Sequence, residues 1–163
     1  MDYFSHLDKK GRPRMVDVSH KEATSREAIA EGRVLLPDTI RDVLAGGGTG
    51  KGDVFKVAEV AGIMAVKKTS ELVPLCHNIR IESVNVSCEL LYKESAVAIN
   101  CKVSTREVTG VEMEALTGVM IAALTVYDMC KGIDKGMVIQ NVRLLHKVGG
   151  KSGEYRVSEG EIL

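Results

Sequence analysis

The chain lacks tryptophan, and aromatic residues make up only 4% of its 163 residues. A core must therefore be filled by Val, Ile, Leu, Met and Ala, and a hydrophobic share of 45% suits a soluble globular protein. The chain also lacks an excess of either charge: Lys and Arg total 22, as do Asp and Glu. That balance argues against a nucleic-acid polymer or an anionic membrane as the main partner, although a few local cations can still hold one phosphate group. No two of the four cysteines, Cys76, Cys88, Cys101 and Cys130, form a CxxC pair. The zinc-ribbon and thioredoxin patterns are thereby excluded, and the thiols read as reduced ones in a cytosolic protein. No apolar run reaches the ~18 residues that span a bilayer. The opening MDYFSHLDKKGRPR has no apolar h-region, so it does not read as a signal peptide.

What remains is one domain's length of chain without internal repeats. Residues 1–14 are polar and are expected to be flexible, with a single α+β domain over 15–163. Met15–Ser19 alternates and reads as a short strand. Arg26–Leu36 favours a strand that stops before Pro37, and Pro37 opens a short helix closed by Gly46, Gly47 and Gly48. Asp53 is a candidate N-cap for a long helix from Val54 to about Ser70, apolar on nearly every side. Residues 79–90 and 97–103 alternate as a hairpin about the KES turn, with a phase slip near Ser83 that suggests a bulge. A second long helix runs from Val111 to Cys130, with Met113, Leu116, Met120, Ala123, Leu124 and Tyr127 as its apolar stripe. Val138–Val148 is a last strand, followed by a GGKSG loop. Long buried helices beside an antiparallel hairpin predict helices packed on one face of an antiparallel sheet.

Several residues could carry chemistry. The stretch GGGTGKGD, Gly46–Asp53, invites comparison with a phosphate loop. The spacing fails, because Ala45 and Gly52 stand where glycine and Ser or Thr are needed, and a helix rather than a strand precedes it. Lys51 is then either a ligand-facing cation on a pliant backbone or a solvated lysine in a surface loop. On the second long helix, Glu114, Thr117, Asp128 and Lys131 form a polar stripe. Asp128 and Lys131, three apart, suit an acid/base pair or an ordinary surface ion pair. Cys76 and His77 follow Pro74 in a loop, where the His could carry a proton, contact phosphate or be structural. No further Cys or His stands at zinc spacing, so no metal site is expected. Lys147 and Lys151, around Gly149 and Gly150, could neutralise phosphate or lie in a solvated tail.

Longer strings narrow this. MVDVS (Met15–Ser19), REAIAEGRV (Arg26–Val34), the Lys51–Ile79 stretch containing VPLCHNI, GVEMEALTGVMIAALTVYDMCKGIDKGMVI (Gly110–Ile139) and KVGGKSG (Lys147–Gly153) together resemble the molybdenum cofactor biosynthesis protein C family. The resemblance implies a ferredoxin-like α+β fold and a homohexamer, a trimer of dimers with sites at subunit interfaces. It implies a small-molecule substrate: the cyclised dihydro-GTP made by a radical S-adenosylmethionine enzyme, converted to a pyranopterin as a cyclic phosphate closes and pyrophosphate leaves. No cofactor is implied, and the setting is cytoplasmic. By position, Asp128 resembles the family's acid/base, and Lys51 and Lys131 its two lysines for proton transfer and charge neutralisation. Leu75, Cys76 and His77, then Glu112, Met113 and Glu114, fall in its substrate-contacting segments, and Arg26 and Asp17 in matching stretches. Gly118 stands where the pattern has Ala, His146 where it has Glu, and Gln140 and Asn141 also depart. A nucleotide-binding or sensing oligomer without catalysis is the alternative. The joint presence of Lys51, Asp128 and Lys131 favours the enzyme.

Overall fold

The computed structural model describes residues 7–8, 10–48, 50 and 52–158. Its elements are β1 (Thr24–Leu35), α1 (Asp38–Ala45), α2 (Val54–Val66), the single turn α3 (Thr69–Leu72), β2 (Ser83–Leu91), a 3-10 turn (Tyr92–Glu94), β3 (Ala96–Glu107), α4 (Glu112–Cys130), β4 (Val138–Val148) and the two-residue β5 (Tyr155–Arg156). The sheet is antiparallel in the order β2-β3-β1-β4-β5. With α2 and α4 as the two crossovers, this is the split βαββαβ ferredoxin-like α+β arrangement.

The pleat sorts the side chains. Ala28, Ala30, Gly32 and Val34 on β1, and Val97, Ile99, Cys101 and Val103 on β3, are buried beneath the helices, while their alternates lie on the other face. That second face carries cross-strand ion pairs, Lys102–Glu27 at 2.9 Å and Arg143–Glu31 at 2.7 Å. Local signals act as read. Pro37 sits at the start of α1, Gly46 closes it, and the Asp53 carboxylate accepts from the Phe55 and Lys56 N–H groups at 3.1 Å each.

Four expectations are corrected. Met15–Ser19 pairs with no strand among the described residues; its alternation reflects a coil that half-buries Val16 and Val18 and exposes the residues between them. The helix expected to reach Ser70 stops at Val66. There the Thr69 hydroxyl donates to the Ala65 and Val66 carbonyls at 3.3 and 3.1 Å, and the chain restarts as α3. The phase slip near Ser83 is no bulge: β2 begins there and pairs with β3 without a register shift. Finally, the buried face of α4 consists of Glu114, Ala115, Gly118, Val119, Ala122, Ala123, Val126 and Cys130, whereas Met113, Met120 and Leu124 from the expected stripe are exposed.

Close approach decides that last choice. A Cβ at Gly118 would stand 2.7 Å from the Cys101 sulfur and 2.9 Å from a Val66 methyl. One at Gly62 would stand 3.0 Å from the Gly118 carbonyl oxygen. α2 and α4 therefore cross at facing glycines, and at Gly118 even a Cβ would crowd the sheet. The Cys101 sulfur fills the space that the Ala expected at position 118 would need. α4 is long and apolar enough to cross a membrane by length and composition alone, but eight of its residues are buried against the rest of the fold.

Candidate active site

The two ends of α4 carry the polar residues singled out in the sequence. At its N-terminal end lies a cavity of about 600 Å³. Pro74 turns the chain after α3, so that Leu75, Cys76 and His77 form one wall, and the first turn of α4 supplies Glu112, Met113 and Glu114 as another. Two segments that the sequence keeps 35 residues apart are thus brought together. Val16, Val18, Lys21, Thr109 and Gly110 complete the lining. None of these five was anticipated. Val16 and Val18 belong to a stretch read as a strand, and nothing in the sequence distinguishes Lys21 from the chain's other cations.

Burial sets the chemistry at this end. Glu114 is 4% exposed. That desolvation pushes its carboxyl above the usual range, and the Glu112 charge adds to it. The positive end of the helix favours carboxylates in the first turn, but for Glu114 burial outweighs it. The Cys76 thiol is pushed up by burial and by the Glu114 charge, so it is not held as a thiolate nucleophile. The Glu112 carboxylate folds back over Gly110, where a Cβ would lie 1.9 Å from its Oε2, and it comes within 3.8 Å of Lys147 Nζ. The Lys147 ammonium also donates to the Ser152 hydroxyl. Of the phosphate-binding candidates around Gly149 and Gly150, Lys147 is thereby drawn toward the cavity. His77 Nε2 stands 2.7 Å from the Val16 carbonyl oxygen.

Arg26 and Asp17 lie outside the lining. The Arg26 guanidinium donates to the Glu107 and Val108 carbonyls at 3.2 and 3.3 Å, tying β1 to the turn that leads into α4. Asp17 is exposed, and its carboxylate accepts from the Ser19 N–H at 2.9 Å, which lowers its pKa.

At the other end of α4, Lys131 Nζ donates to Asp128 Oδ1 at 2.6 Å. Both side chains are open to solvent, and the hydrogen bond to Asp128 raises the Lys131 ammonium pKa. Leu124, Thr125 and Tyr127 join them around a second, shallower concavity of about 480 Å³. A carboxylate is poorly placed at the negative end of a helix, and Lys131 supplies the compensating charge. Sixteen residues at ~1.5 Å of rise put Glu112 and Asp128 roughly 24 Å apart, so a single copy of the chain does not bring the two sets together. Lys51, the third expected catalytic residue, lies outside the described residues. Among the described residues, no three His, Cys, Asp or Glu converge as a metal site.

A two-layer α+β fold with a half-open cavity lined by a buried carboxyl and an imidazole has the makings of a small-molecule site with acid–base character. The sequence places it further. Residues 15–150 match the model of the MoaC family, and the chain belongs to that family. It is 51% identical over 158 residues to the cyclic pyranopterin monophosphate synthase of Pelobacter propionicus, covering 97% of this chain and 99% of the relative. The enzyme of the same name from Heliobacterium modesticaldum is 54% identical over 156 residues, covering 95% of this chain and 98% of the relative. That of Pelotomaculum thermopropionicum is 52% identical over 155 residues, covering 95% and 91%.

Proposed function

We propose that the chain is an enzyme of molybdenum cofactor biosynthesis that converts cyclised dihydro-GTP into cyclic pyranopterin monophosphate and pyrophosphate. Near full-length similarity at 51–54% to enzymes of that name carries this reading. In the closing step a substrate hydroxyl attacks the α-phosphorus. One P–O bond forms, the bond to the leaving pyrophosphate breaks, and the hydroxyl proton passes to a base. Asp128 acts as acid/base, with Lys131 and Lys51 for proton transfer and charge neutralisation. Leu75, Cys76, His77, Glu112, Met113 and Glu114 bind substrate. Arg26 shapes the approach to α4 from outside the cavity, and Asp17 serves through its segment.

The working form is a homo-oligomer, a hexamer built as a trimer of dimers, in the cytoplasm. Two observations support the assembly. The acid/base pair and the cavity sit at opposite ends of a helix about 24 Å apart, so a site using both takes them from different copies. Val57, Val60, Met64, Met120 and Leu124 on α2 and α4 are exposed although large and apolar.

The test is to incubate the purified full-length protein with the cyclised substrate. Pyrophosphate and a pterin that fluoresces after oxidation are expected together. Binding of the substrate without pyrophosphate release would leave a nucleotide-binding protein in place of an enzyme.

A further inference from the structure

His77 lines the cavity from the loop after Pro74, and its Nε2 meets the Val16 carbonyl oxygen at 2.7 Å, a contact spanning 61 residues. A carbonyl oxygen only accepts, so Nε2 must carry the hydrogen, whether the ring is neutral or cationic. In the neutral ring Nδ1 is then bare and can accept a proton but not give one.

The segment on the other side of this bond has little else to hold it. Among the described residues, 16–21 pair with no strand, and their other hydrogen bonds are local: Ser19 N–H to Asp17 and Lys21 N–H to the Val18 carbonyl at 3.0 Å. Val16 and Val18 are half-buried and line the cavity, whereas Asp17 and Ser19 point outward. The segment ends at Lys21, the only Lys or Arg among the described residues that line the cavity, which Glu112 and Glu114 also line.

We propose that His77, besides lining the substrate cavity, has a positioning role: its Nε2–H latches the strap Val16–Lys21 over the cavity and thereby sets the Lys21 ammonium against a phosphate group of the bound substrate. The Nε2 proton is committed to Val16 and is not the one exchanged with substrate. The part concerning substrate rests on the function proposed above; the latch itself does not.

Histidine's two nitrogens can be separated by substitution in the full-length protein. His77→Gln keeps an N–H donor at the ε position, His77→Asn offers one only at the δ position, and His77→Ala offers none. Amide hydrogen exchange over residues 15–21 reads the latch without any substrate. Exchange should rise about fivefold or more in His77→Ala and His77→Asn, the effect of losing one hydrogen bond, and stay near wild type in His77→Gln. Nitrogen-15 spectra of histidine-labelled protein should show His77 protonated at Nε2. In turnover, His77→Asn and Lys21→Ala should each raise KM by roughly tenfold with a much smaller change in kcat, and the double variant should be no worse than either alone. His77→Gln exchanging as fast as His77→Ala, or a bare Nε2, would overturn the latch. Loss of kcat in all three His77 variants with exchange and KM unchanged would overturn it too, and would make His77 a catalytic residue. If the wild-type chain released no pyrophosphate, the proposed function would fail while the exchange and nitrogen spectra still decided the latch.

Discussion

The two ends of α4 carry similar residues in opposite surroundings. At the N-terminal end, Glu114 is buried, Glu112 is folded over Gly110 toward Lys147, and His77 is tied to Val16. At the C-terminal end, Asp128 and Lys131 face solvent, with relative side-chain exposures of 64% and 52%. Burial raises the Glu114 carboxyl pKa at one end, whereas at the other Asp128 and Lys131 are paired in the open. An exposed ion pair is worth only about 0–1 kcal/mol, and water screens whatever it could do to a ligand. In the proposed oligomer, a second copy seated on the apolar flank of α2 and α4 would exclude that water from Asp128 and Lys131. The difference teaches that one chain by itself shelters the N-terminal end of α4 and leaves its C-terminal end open.

The sharpest way to break this comparison is Asp128→Asn, which keeps shape and removes charge. If Asp128 is an acid/base, pyrophosphate release should fall by about two to four orders of magnitude. The thermal melt of the same variant should move by no more than about 0.5 kcal/mol, as for any exposed carboxylate. Near-normal turnover would make the pair a surface ion pair and leave the N-terminal end as the whole site.

Gly110→Ala probes the sheltered end. The new Cβ claims the place of the Glu112 carboxylate, which must swing away from Lys147 and the cavity. Turnover should drop by roughly 10- to 100-fold, the scale of an ångström-sized misplacement in a site, with the fold retained. Unchanged kinetics would show that the position of Glu112 does not matter.

Gly118→Ala tests whether the middle of α4 fixes both ends. Ala is the better helix former by about 1 kcal/mol, but its methyl would overlap the Cys101 sulfur and a Val66 methyl. Overpacking of this kind costs about 1–3 kcal/mol, so denaturant unfolding should show a net loss of roughly 1 kcal/mol. A stabilised variant would mean that the crossing of α2 and α4 has room to spare.

The smallest expected effect is the pH dependence carried by Glu114. Its folded-state pKa is raised, so the folded protein holds a proton that the unfolded chain has lost. Wild-type stability should therefore decline as pH rises from the unfolded carboxyl's value through the folded one, and the full penalty should apply above both. Glu114→Gln has no proton to lose. Its melting temperature should exceed wild type at pH 8 by more than at pH 4, while its activity falls. Parallel melting curves across that range would show that Glu114 titrates as an ordinary carboxyl.

Much of the fold was legible because its punctuation is local. Pro37, Gly46 and Asp53 act within a few residues of themselves, and the alternation over residues 97–103 marks a strand buried on one face whatever lies beyond it. The orientation of α4 was not legible. A helix that is apolar almost all round has no preferred face in its sequence, and the large residues Met113, Met120 and Leu124 stood out where the small ones were to be buried.

By itself, then, the sequence determined the family, the α+β class, the limits of most elements and the candidate residues, since each depends on residue identity and short spacing. Only the tertiary structure decided which side of α4 meets the sheet, because that follows from the space left by Cys101, Val66 and Gly62. It also decided that Val16 and Lys21 share a cavity with His77, that burial raises the Glu114 pKa, and that Asp128 stands a helix length away from both. These are consequences of distance and of excluded water, and residues far apart in the chain acquire both only once it has folded.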